Sequence, residues 1–464
     1  MAKFKISQVI RAVGGKLAQG DLETTVSGVS TDSRKITRGC LFVAIKGEKM
    51  DGHDFVRQAF TKGAAAALVS HKLIQVISPR KALVAVQDTT HGLLDLAAYH
   101  RKEMKTLQVV GVTGSNGKTT VKDMIAAVMA KKYKTLKTMG NLNNQIGLPT
   151  TLLGLNEKHQ AAVVEMGINY LGEMDLLAEV ARPDIAVITN IGPAHLEGLK
   201  TVANVRKTKA RILDFMPRGG AAILNASDPN SAPIIKARGA ARSITFGMEV
   251  GDVAVVENTL AKNRTGRNIK ISWKKNLYPI KLRFVGQSAA INAAAAFAAG
   301  LAAGVEPETI ARAIGSVRPA RLRMAVEKLS NGAWLIDDTY NANPASVESA
   351  LATMGEFDGG RRFLALGDML EMGASAQKAH ASVAKWARAA GVERIFAYGP
   401  MASITAAEAG RLGIGGMEKK SHEALARAVA GALKPGDVAL VKGSRGMRMD
   451  KVAELVRQMA GGEK

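Results

Sequence analysis

The chain has 464 residues, of which 64 are Lys or Arg and 40 are Asp or Glu, giving a formal net charge of +24. This length accommodates about two to four domains and excludes a single small domain. With 47% hydrophobic and 22% charged residues, the composition excludes a chain that is disordered throughout.

The single cysteine, Cys40, excludes an intramolecular disulfide and a zinc site built on cysteines. The first residues alternate Lys with apolar side chains, whereas a signal peptide needs a continuous apolar core. The longest low-polarity run, 289–304, is shorter than the roughly 20 apolar residues of a membrane span, and we expect a closely packed, buried helix there. We therefore expect a cytoplasmic protein without membrane insertion.

The basic residues are dispersed in short clusters, such as 131–134, 206–211 and 361–362, without interleaved aromatic residues. Proteins that bind single-stranded nucleic acids combine basic grooves with aromatic stacking platforms. We therefore expect a solvated basic surface that tolerates small anionic ligands, and no nucleic-acid partner. A basic stripe that binds nucleic acid is the alternative.

In chain order, the apolar runs predict an α/β protein with three domains, at 1–103, 104–318 and 319–464. The first domain carries short runs such as 41–45 and 65–69, bounded by turn residues. The other two alternate strand-like runs with helical stretches, which predicts βαβ units and parallel sheets. The predicted strands are 107–113, 161–166, 184–189 and 221–224 in the second domain, and 334–337, 363–366, 394–397 and 438–441 in the third.

The strongest local motif follows the first strand of the second domain. It consists of Gly114, Ser115, Asn116, Gly117, Lys118, Thr119 and Thr120. A helix with an apolar face at Val121, Met124, Ile125, Val128 and Met129 comes next. Strand, glycine-rich loop and helix form a phosphate cradle, in which backbone N–H groups and a lysine contact phosphates and a hydroxyl contacts Mg²⁺. We therefore predict ATP binding, with a structural turn as the alternative.

Two polar residues follow neighbouring predicted strands. Glu165 ends the run 161–164, and His195 lies in the loop after the run 184–189. Ligands of open parallel sheets gather at the carboxyl ends of the strands, so we expect both side chains near the cradle, with Mg²⁺. The alternatives are a structural ion pair for Glu165 and an ordinary polar loop residue for His195.

These motifs resemble the Mur ligase family of ATP-dependent amide ligases, and the resemblance covers nearly the whole chain. The segments that carry it are 30–34, 41–47, 51–55, 113–120, 140–149, 165–167, 194–197, 338–344, 366–373 and 441–446. The resemblance implies a small N-terminal α/β domain that binds a uridine nucleotide, a central P-loop ATPase domain with a parallel sheet, and a C-terminal Rossmann-like α/β ligase domain. One departure is the stretch 286–292, which keeps only the final Asn of the family's G-x-H-N-x-x-N pattern.

The resemblance also implies the site residues. The catalytic set is Lys118, Glu165, His195 and Lys209, and the metal ligands are Thr119, Glu165, His195 and Lys209. Nucleotide contacts beyond the cradle fall on Asn144, Asn292, Arg321, Asp338, Tyr340 and Asn341. Substrate contacts fall on Asp32, Ser33, Arg34, Gly47, Asn143, Glu371, Lys442, Ser444 and Arg445. Lys209 matches the family lysine that carries a carbamate, with Lys207 as the weaker candidate, because a carbamate is an anionic oxygen ligand for Mg²⁺.

The segments 338–344, 366–373 and 441–446 resemble the family members that add D-alanyl-D-alanine more than the other members. The implied substrates are therefore UDP-N-acetylmuramoyl-tripeptide and D-alanyl-D-alanine, joined with ATP and Mg²⁺ through an acyl phosphate by a monomeric enzyme. The alternatives are a family member that adds the third amino acid, a folylpolyglutamate-type ligase, a nucleic-acid-dependent P-loop ATPase, and a non-catalytic nucleotide-binding protein.

Overall fold

The computed structural model describes residues 1–71, 81–238 and 243–460. Its strands are β1 (Lys3–Lys5), β2 (Lys16–Gln19), β3 (Thr25–Ser27), β4 (Val29–Ser30), β5 (Leu41–Val43), β6 (Ala66–Ser70), β7 (Ala82–Val86), β8 (Gln108–Thr113), β9 (Thr135–Lys137), β10 (Ala161–Glu165), β11 (Ile185–Ile188), β12 (Ala221–Asn225), β13 (Ser243–Met248), β14 (Val253–Leu260), β15 (Arg267–Trp273), β16 (Asn276–Leu282), β17 (Ala325–Lys328), β18 (Trp334–Asp338), β19 (Arg362–Gly367), β20 (Val392–Tyr398), β21 (Gly415–Glu418) and β22 (Val438–Lys442).

Its helices are α1 (Ile6–Val13), α2 (Val56–Thr61), α3 (Thr89–Glu103), α4 (Lys118–Met129), α5 (Gly147–Leu152), α6 (Glu173–Ala181), α7 (Leu196–Leu199), α8 (Val202–Ala210), α9 (Ala232–Arg238), α10 (Ser288–Ala302), α11 (Pro307–Ser316), α12 (Pro344–Gly355), α13 (Ala376–Ala389), α14 (Pro400–Arg411), α15 (His422–Ala432) and α16 (Asp450–Ala460). Short 3-10 helices occupy Gly52–Phe55, Arg211–Phe215, Gly373–Ser375 and Arg445–Met447.

The chain divides into two compact units, each assembled from separate segments. The first unit contains Met1–Thr113, Lys132–Val187 and Lys209–Ala222, and the second contains Gly114–Lys131, Ile188–Thr208 and Ile223–Lys464. The predicted domain boundaries at 103/104 and 318/319 stay predictions.

The first unit begins with a five-stranded sheet in the order β2-β7-β6-β5-β4, in which β4 to β7 are parallel and β2 is antiparallel to β7. Strands β5, β6 and β7 are largely continuous apolar runs, and Phe42, Ala67 and Leu83 lie in one buried cluster with side chains of α2. The predicted runs 41–45 and 65–69 are confirmed as β5 and β6. Burial on both faces explains why these runs do not alternate with polar residues.

The first unit also contains the strands β9, β10, β8 and β11, in that spatial order. The pairs β9–β10 and β10–β8 are parallel, and β8 and β10 are almost wholly buried. The predicted strands 107–113, 161–166 and 184–189 are confirmed within a residue or two at each end. Thr113 ends β8 and Glu165 ends β10. Because the two strands are parallel neighbours, both residues lie at the same edge of the sheet.

The second unit contains strands that the sequence reading did not predict. Strands β13 and β14 are parallel, but β14, β15 and β16 form an antiparallel ribbon. The expected parallel sheet is therefore mixed here. Strands β15 and β16 alternate buried and exposed residues along most of their length, as strands of an antiparallel sheet with one solvated face do. Arg267 on β15 is only 2% exposed and donates to both carboxylate oxygens of Glu356, at 2.8 and 3.1 Å.

The last part of the second unit is a six-stranded sheet in the order β17-β18-β22-β19-β20-β21, with β17 antiparallel and the other strands parallel. Side chains of β19 alternate between the two faces. Leu364 and Leu366 join the core under α12 to α14, whereas Phe363 and Ala365 join the core under α15 and α16. The predicted Rossmann-like α/β domain is confirmed.

Two helices of the second unit match their sequence patterns. The five apolar residues predicted for the face of α4 are all buried. The alanine-rich helix α10 is buried along almost its whole length, as expected for the run 289–304. Within the described residues, no helix combines the length and apolar character needed to cross a membrane.

Candidate functional site

The predicted phosphate cradle leads into the amino end of α4, and two of its glycines have backbone conformations that other residues rarely adopt. Gly114 has φ +149°, and a Cβ there would lie 1.9 Å from Thr189 Oγ1. Gly117, the residue before α4, has φ +81°, and a Cβ there would lie 2.4 Å from Asn292 Oδ1. Glycine is therefore required at both positions, by conformation and by space.

The segment 189–195 holds the cradle in place. The backbone N–H of Ser115 donates to the Asn190 carbonyl, and the N–H of Asn116 donates to Oδ1 of the same residue, both at 2.9 Å. Thr189 Oγ1 donates to the Asn116 carbonyl at 2.5 Å, and the Ser115 hydroxyl bonds the Gly192 backbone at 2.9 Å. Ser115, predicted to contact nucleotide, thus has both groups engaged in fixing the loop.

Lys118 lies over this loop. Its Nζ donates to the carbonyls of Gly114 at 2.8 Å and Ser115 at 3.3 Å. The lysine begins α4, so its ammonium charge adds to the positive potential of the helix N-terminus. Thr119 and Thr120 follow in the first turn and are both half-buried. This combination is suited to binding the phosphates of a nucleotide.

Arg323 is the arginine next to the cradle. Its Nη2 donates to Thr119 Oγ1 at 3.1 Å, and its guanidinium carbon lies 3.8 Å from the centre of the Tyr340 ring. Arg321, which the resemblance assigned to the nucleotide, lines a cavity of about 590 Å³ with residues of α16. The sequence contains both arginines, but their flanking residues Leu322 and Met324 have φ of +65° and +49°. Those left-handed residues turn the backbone on either side of Arg323, so spacing alone does not tell which arginine faces the cradle.

A cluster at the carboxyl ends of β18 and β22 contains further predicted residues. Lys442 is almost fully buried and donates to Asp338 Oδ2 at 2.5 Å and to the Asn341 carbonyl at 2.9 Å. The other oxygen of Asp338 accepts the N–H of Met324 at 3.1 Å. The cluster therefore fixes the backbone beside Arg323. Arg445, a predicted substrate residue three positions after Lys442, has its Nη1 3.5 Å from Asp450 Oδ2.

The cradle also contacts the start of α12. Asn343 caps this helix by accepting the N–H of Ser346, and its Nδ2 donates to Asn116 Oδ1 at 2.8 Å. The return contact, from Asn116 Nδ2 to Asn343 Oδ1, is 3.4 Å. The sequence reading missed Asn343 as a contact of the cradle. Its N-cap signal, Asn followed by Pro, was available in the sequence.

His195 and Glu371, two predicted site residues distant in sequence, lie together. His195 Nδ1 is 2.8 Å from Glu371 Oε2, and this hydrogen bond holds the pKa of the Glu371 carboxyl below its usual range. The loop 368–371 follows β19 and contains Asp368 and Glu371, and we call it the acidic loop. The Ser444 hydroxyl accepts the N–H of Leu370 in this loop at 2.8 Å. Ser444 is thus engaged with protein backbone, although the resemblance assigned it to substrate.

Within the first unit, Glu165 ends β10 and is only 3% exposed. Its Oε1 accepts a hydrogen bond from Asn143 Nδ2 at 2.9 Å, which supplies a polar partner for the buried carboxylate. Asn144 lies beside it in sequence and accepts the N–H groups of Ile146 and Gly147 at 3.1 and 2.9 Å. The Asn144 side chain therefore fixes the turn that leads into α5, and its nucleotide contact stays a prediction.

The two candidate lysines for a carbamate differ in burial. Lys209 is fully buried, at 0% exposure, whereas Lys207 is exposed. Arg211, two residues further, pairs with Asp175 at 2.6 Å and with Asp214 at 2.5 Å. Its charge is therefore neutralised locally. Lys209 is therefore enclosed by protein, as a lysine that lines a binding site is, whereas Lys207 lies in solvent. The carbamate on Lys209 stays a prediction.

The predicted uridine-nucleotide residues lie on loops beside the first sheet. Asp32 and Arg34 form a two-bond ion pair, with both distances 2.9 Å, and this pair lowers the pKa of Asp32 to about 2. Ser33 is buried, and its carbonyl accepts from Lys62 Nζ at 3.0 Å. The N–H of Gly47 donates to the Met50 carbonyl at 2.9 Å. The guanidinium of Arg34 remains largely exposed and could accept an additional anion.

The residues predicted for Mg²⁺ have the right donor chemistry. Glu165 offers a buried carboxylate, Thr119 a hydroxyl, and His195 an imidazole whose Nδ1 is already engaged. Within residues 1–71, 81–238 and 243–460, no group of three His, Cys, Asp or Glu side chains is arranged to hold a metal. Each of these side chains is a donor of a kind that binds divalent cations, and their roles as ligands stay predictions.

The fold and the cradle together define a nucleotide-binding α/β protein. Comparison with known families matches residues 25–101 to "Mur ligase family, catalytic domain", 112–300 to "Mur ligase middle domain" and 321–445 to "Mur ligase, glutamate ligase domain". A UDP-N-acetylmuramoyl-tripeptide–D-alanyl-D-alanine ligase of Bacillus subtilis (strain 168) is 35% identical over 462 residues, which cover 98% of each chain. The chain belongs to the Mur ligase family, and the resemblance seen in the sequence is confirmed.

Solved structures agree with this result. The crystal structure of MurF from Acinetobacter baumannii has a TM-score of 0.90 at 30% identity and covers 99% of both chains. The MurF ligase of Thermotoga maritima, crystallised in complex with ADP, has a TM-score of 0.83 at 26% identity and covers 94% of this chain and 98% of that one.

Proposed function

We propose that this chain joins D-alanyl-D-alanine to UDP-N-acetylmuramoyl-tripeptide at the expense of ATP, a step in the synthesis of peptidoglycan precursors. The observation that carries the proposal is the 35% identity, over 98% of both chains, with a ligase of that name. The geometry supports it, because the cradle is contacted by Arg323 and Asn343 from the segment that contains the ligase-type motifs. A cytoplasmic, monomeric enzyme is part of the same proposal.

The proposed reaction has two steps. The terminal carboxylate of the tripeptide attacks the γ-phosphate of ATP, forming an acyl phosphate and releasing ADP. The amine of D-alanyl-D-alanine then attacks the acyl carbon, and inorganic phosphate leaves. Phosphoryl transfer of this kind needs positioning and charge neutralisation more than a covalent catalyst. Lys118 and Arg323 are cations suited to neutralising the phosphate charge. The cradle loop, which Thr189 and Asn190 fix by hydrogen bonds, would hold the phosphates in position.

Thr119, Glu165 and His195 would hold Mg²⁺, together with a carbamate on Lys209. The bound ion would supply neutralisation of the charge on the phosphate oxygens. A carbamate at Lys209 would convert a buried cation into an anion with oxygen donors. The exposed Lys207 gives a matched comparison for this assignment.

The proposal is tested by phosphate release from ATP with each candidate acceptor. We expect turnover only when UDP-N-acetylmuramoyl-tripeptide and D-alanyl-D-alanine are both present. Lys118→Ala should abolish turnover, whereas Lys131→Ala, at an exposed position after α4, should leave it intact. Phosphate release that depends on nucleic acid, on a folate, or on a single amino acid together with UDP-N-acetylmuramoyl-dipeptide would replace the proposal with the corresponding alternative.

A further inference from the structure

His195 and Glu371 meet through two unusual backbone positions. His195 has φ +54° and precedes the short helix α7, and Glu371 has φ +63° in the loop after β19. Non-glycine residues adopt such left-handed conformations infrequently, and the strain is retained where the surroundings hold the chain in place. Here the result is a direct contact, with His195 Nδ1 2.8 Å from Glu371 Oε2.

The loop that carries Glu371 is fixed residue by residue. The carbonyl of Asp368 accepts the N–H of Ser444 at 3.0 Å, and the N–H of Met369 donates to His380 Nε2 at 3.0 Å. His380 is fully buried, and its Nδ1 bonds the Ala376 carbonyl at 2.8 Å, so its Nε2 is the acceptor. The carboxylate of Glu371 therefore has a defined position, although its side chain is 57% exposed.

The chemistry of this contact selects one form of His195. A carboxylate only accepts hydrogen bonds, so Nδ1 must carry the proton. In the neutral ring Nε2 then keeps its lone pair, which is the form that binds a divalent cation. Histidine ligands in proteins commonly donate their second ring N–H to a carboxylate, which fixes both the tautomer and the ring orientation.

We propose that Glu371 is a positioning residue that orients His195 for the divalent cation. This inference rests on the proposed function, in which His195 is a metal ligand. The acidic loop lies in the motif that resembles ligases adding D-alanyl-D-alanine. Because Glu371 in this loop orients the metal ligand His195, the affinity for the divalent cation depends on the loop.

A different role for Glu371 is the one that the family resemblance implied, direct binding of substrate. In that case the carboxylate would pair with the amine of the dipeptide, and its loss would raise the KM for D-alanyl-D-alanine without changing metal affinity. The two roles therefore predict changes in different measurements.

The test is Mn²⁺ binding to the full chain in the presence of ADP, followed by electron paramagnetic resonance, so that no turnover is needed. Loss of a partner that supports a metal ligand typically weakens metal affinity about 10- to 100-fold. We expect that range for Glu371→Ala, a smaller loss for Glu371→Gln, which keeps an acceptor oxygen, and a loss at least as large for His195→Ala. The control is Glu408→Gln, which removes a surface carboxylate paired with Arg411 and should change nothing.

The outcomes separate this inference from the proposed function. If His195→Ala weakens Mn²⁺ binding and both Glu371 variants bind as wild type, the orienting role is wrong and the proposed function stands. A rise in the KM for D-alanyl-D-alanine with unchanged Mn²⁺ affinity would likewise overturn it in favour of substrate binding. The third outcome is that neither the His195 nor the Glu371 variants change Mn²⁺ affinity, and that Mn²⁺ binds the complex of protein and ADP no more tightly than it binds ADP alone. In that case both the metal site and the inference are overturned.

Discussion

Replacing Gly117 with Ala tests how the cradle is built. The backbone of Gly117 (φ +81°, ψ −10°) nearly matches that of Gly172 (φ +86°, ψ −21°), and both residues immediately precede a helix. A Cβ on Gly172 meets nothing within 4 Å, whereas a Cβ on Gly117 lies 2.4 Å from Asn292 Oδ1. The pair of variants therefore separates the conformational cost from the steric one.

The expected magnitudes follow from those two terms. A left-handed conformation costs a residue with a Cβ about 1–2 kcal/mol. Restricting the unfolded chain offsets about 0.4–1 kcal/mol of this cost, so Gly172→Ala should lose at most about 1.5 kcal/mol. Asn292 is only 9% exposed and packed in α10, so the clash at Gly117 adds about 1–3 kcal/mol, the usual range for overpacking.

Native-state hydrogen exchange in α4 and α6 measures the opening free energy of the helix that follows each glycine. ADP titration measures the cradle itself. We expect Gly117→Ala to lower the stability of α4 by about 1–3 kcal/mol more than Gly172→Ala lowers that of α6, and to lose ADP affinity where the control does not. Equal losses in the two variants, with ADP binding retained, would refute the steric account of the cradle.

Three further predictions test other parts of the site. Lys209→Ala should abolish ligation and be partly restored by a short carboxylic acid, whereas Lys207→Ala should stay active; equal losses would remove the carbamate assignment. Arg323→Lys should raise the KM for ATP at least tenfold, because a lysine cannot both stack on Tyr340 and donate to Thr119, and Arg321→Lys should change it little. Glu356→Ala leaves the buried Arg267 of β15 without its carboxylate partner and should destabilise that strand by about 3 kcal/mol. This value is the low end of the range for buried pairs, because the glutamate is partly exposed. Hydrogen exchange in β15 measures the loss.

The parts of the fold that could be predicted are those whose signal is local. The runs that became β8 and β10 are apolar throughout because parallel strands are buried on both faces, and the cradle stands out because its glycines are constrained by conformation. The antiparallel ribbon of β14 to β16 was not predicted. Strands β15 and β16 lack the continuous apolar runs on which the other strands were predicted, and the exposed Leu277 and Pro279 interrupt the alternation of apolar and polar residues in β16.

The site residues that could be predicted from the sequence are those whose chemical type and position relative to a predicted strand both indicate a role. Lys118 and Glu165 were found from their position after a strand, but their ligand roles stay predictions. The contact of Arg323 with Thr119 was not predicted, because it follows from two left-handed residues that no periodicity reveals. The nucleotide contact of Arg321 stays a prediction. The contact between His195 and Glu371 was also beyond the sequence, since the two residues are 176 positions apart and meet only through tertiary structure.

In the proposed reaction, the γ-phosphate of ATP is transferred to the tripeptide carboxylate before the amine of D-alanyl-D-alanine attacks. The most direct test of this transfer uses UDP-N-acetylmuramoyl-tripeptide labelled with oxygen-18 in the terminal carboxylate, with mass analysis of the released phosphate. We expect one labelled oxygen in the phosphate for every amide bond formed, because the carboxylate oxygen stays on phosphorus when its bond to the acyl carbon breaks. Ligation that releases only unlabelled phosphate would contradict the proposed reaction.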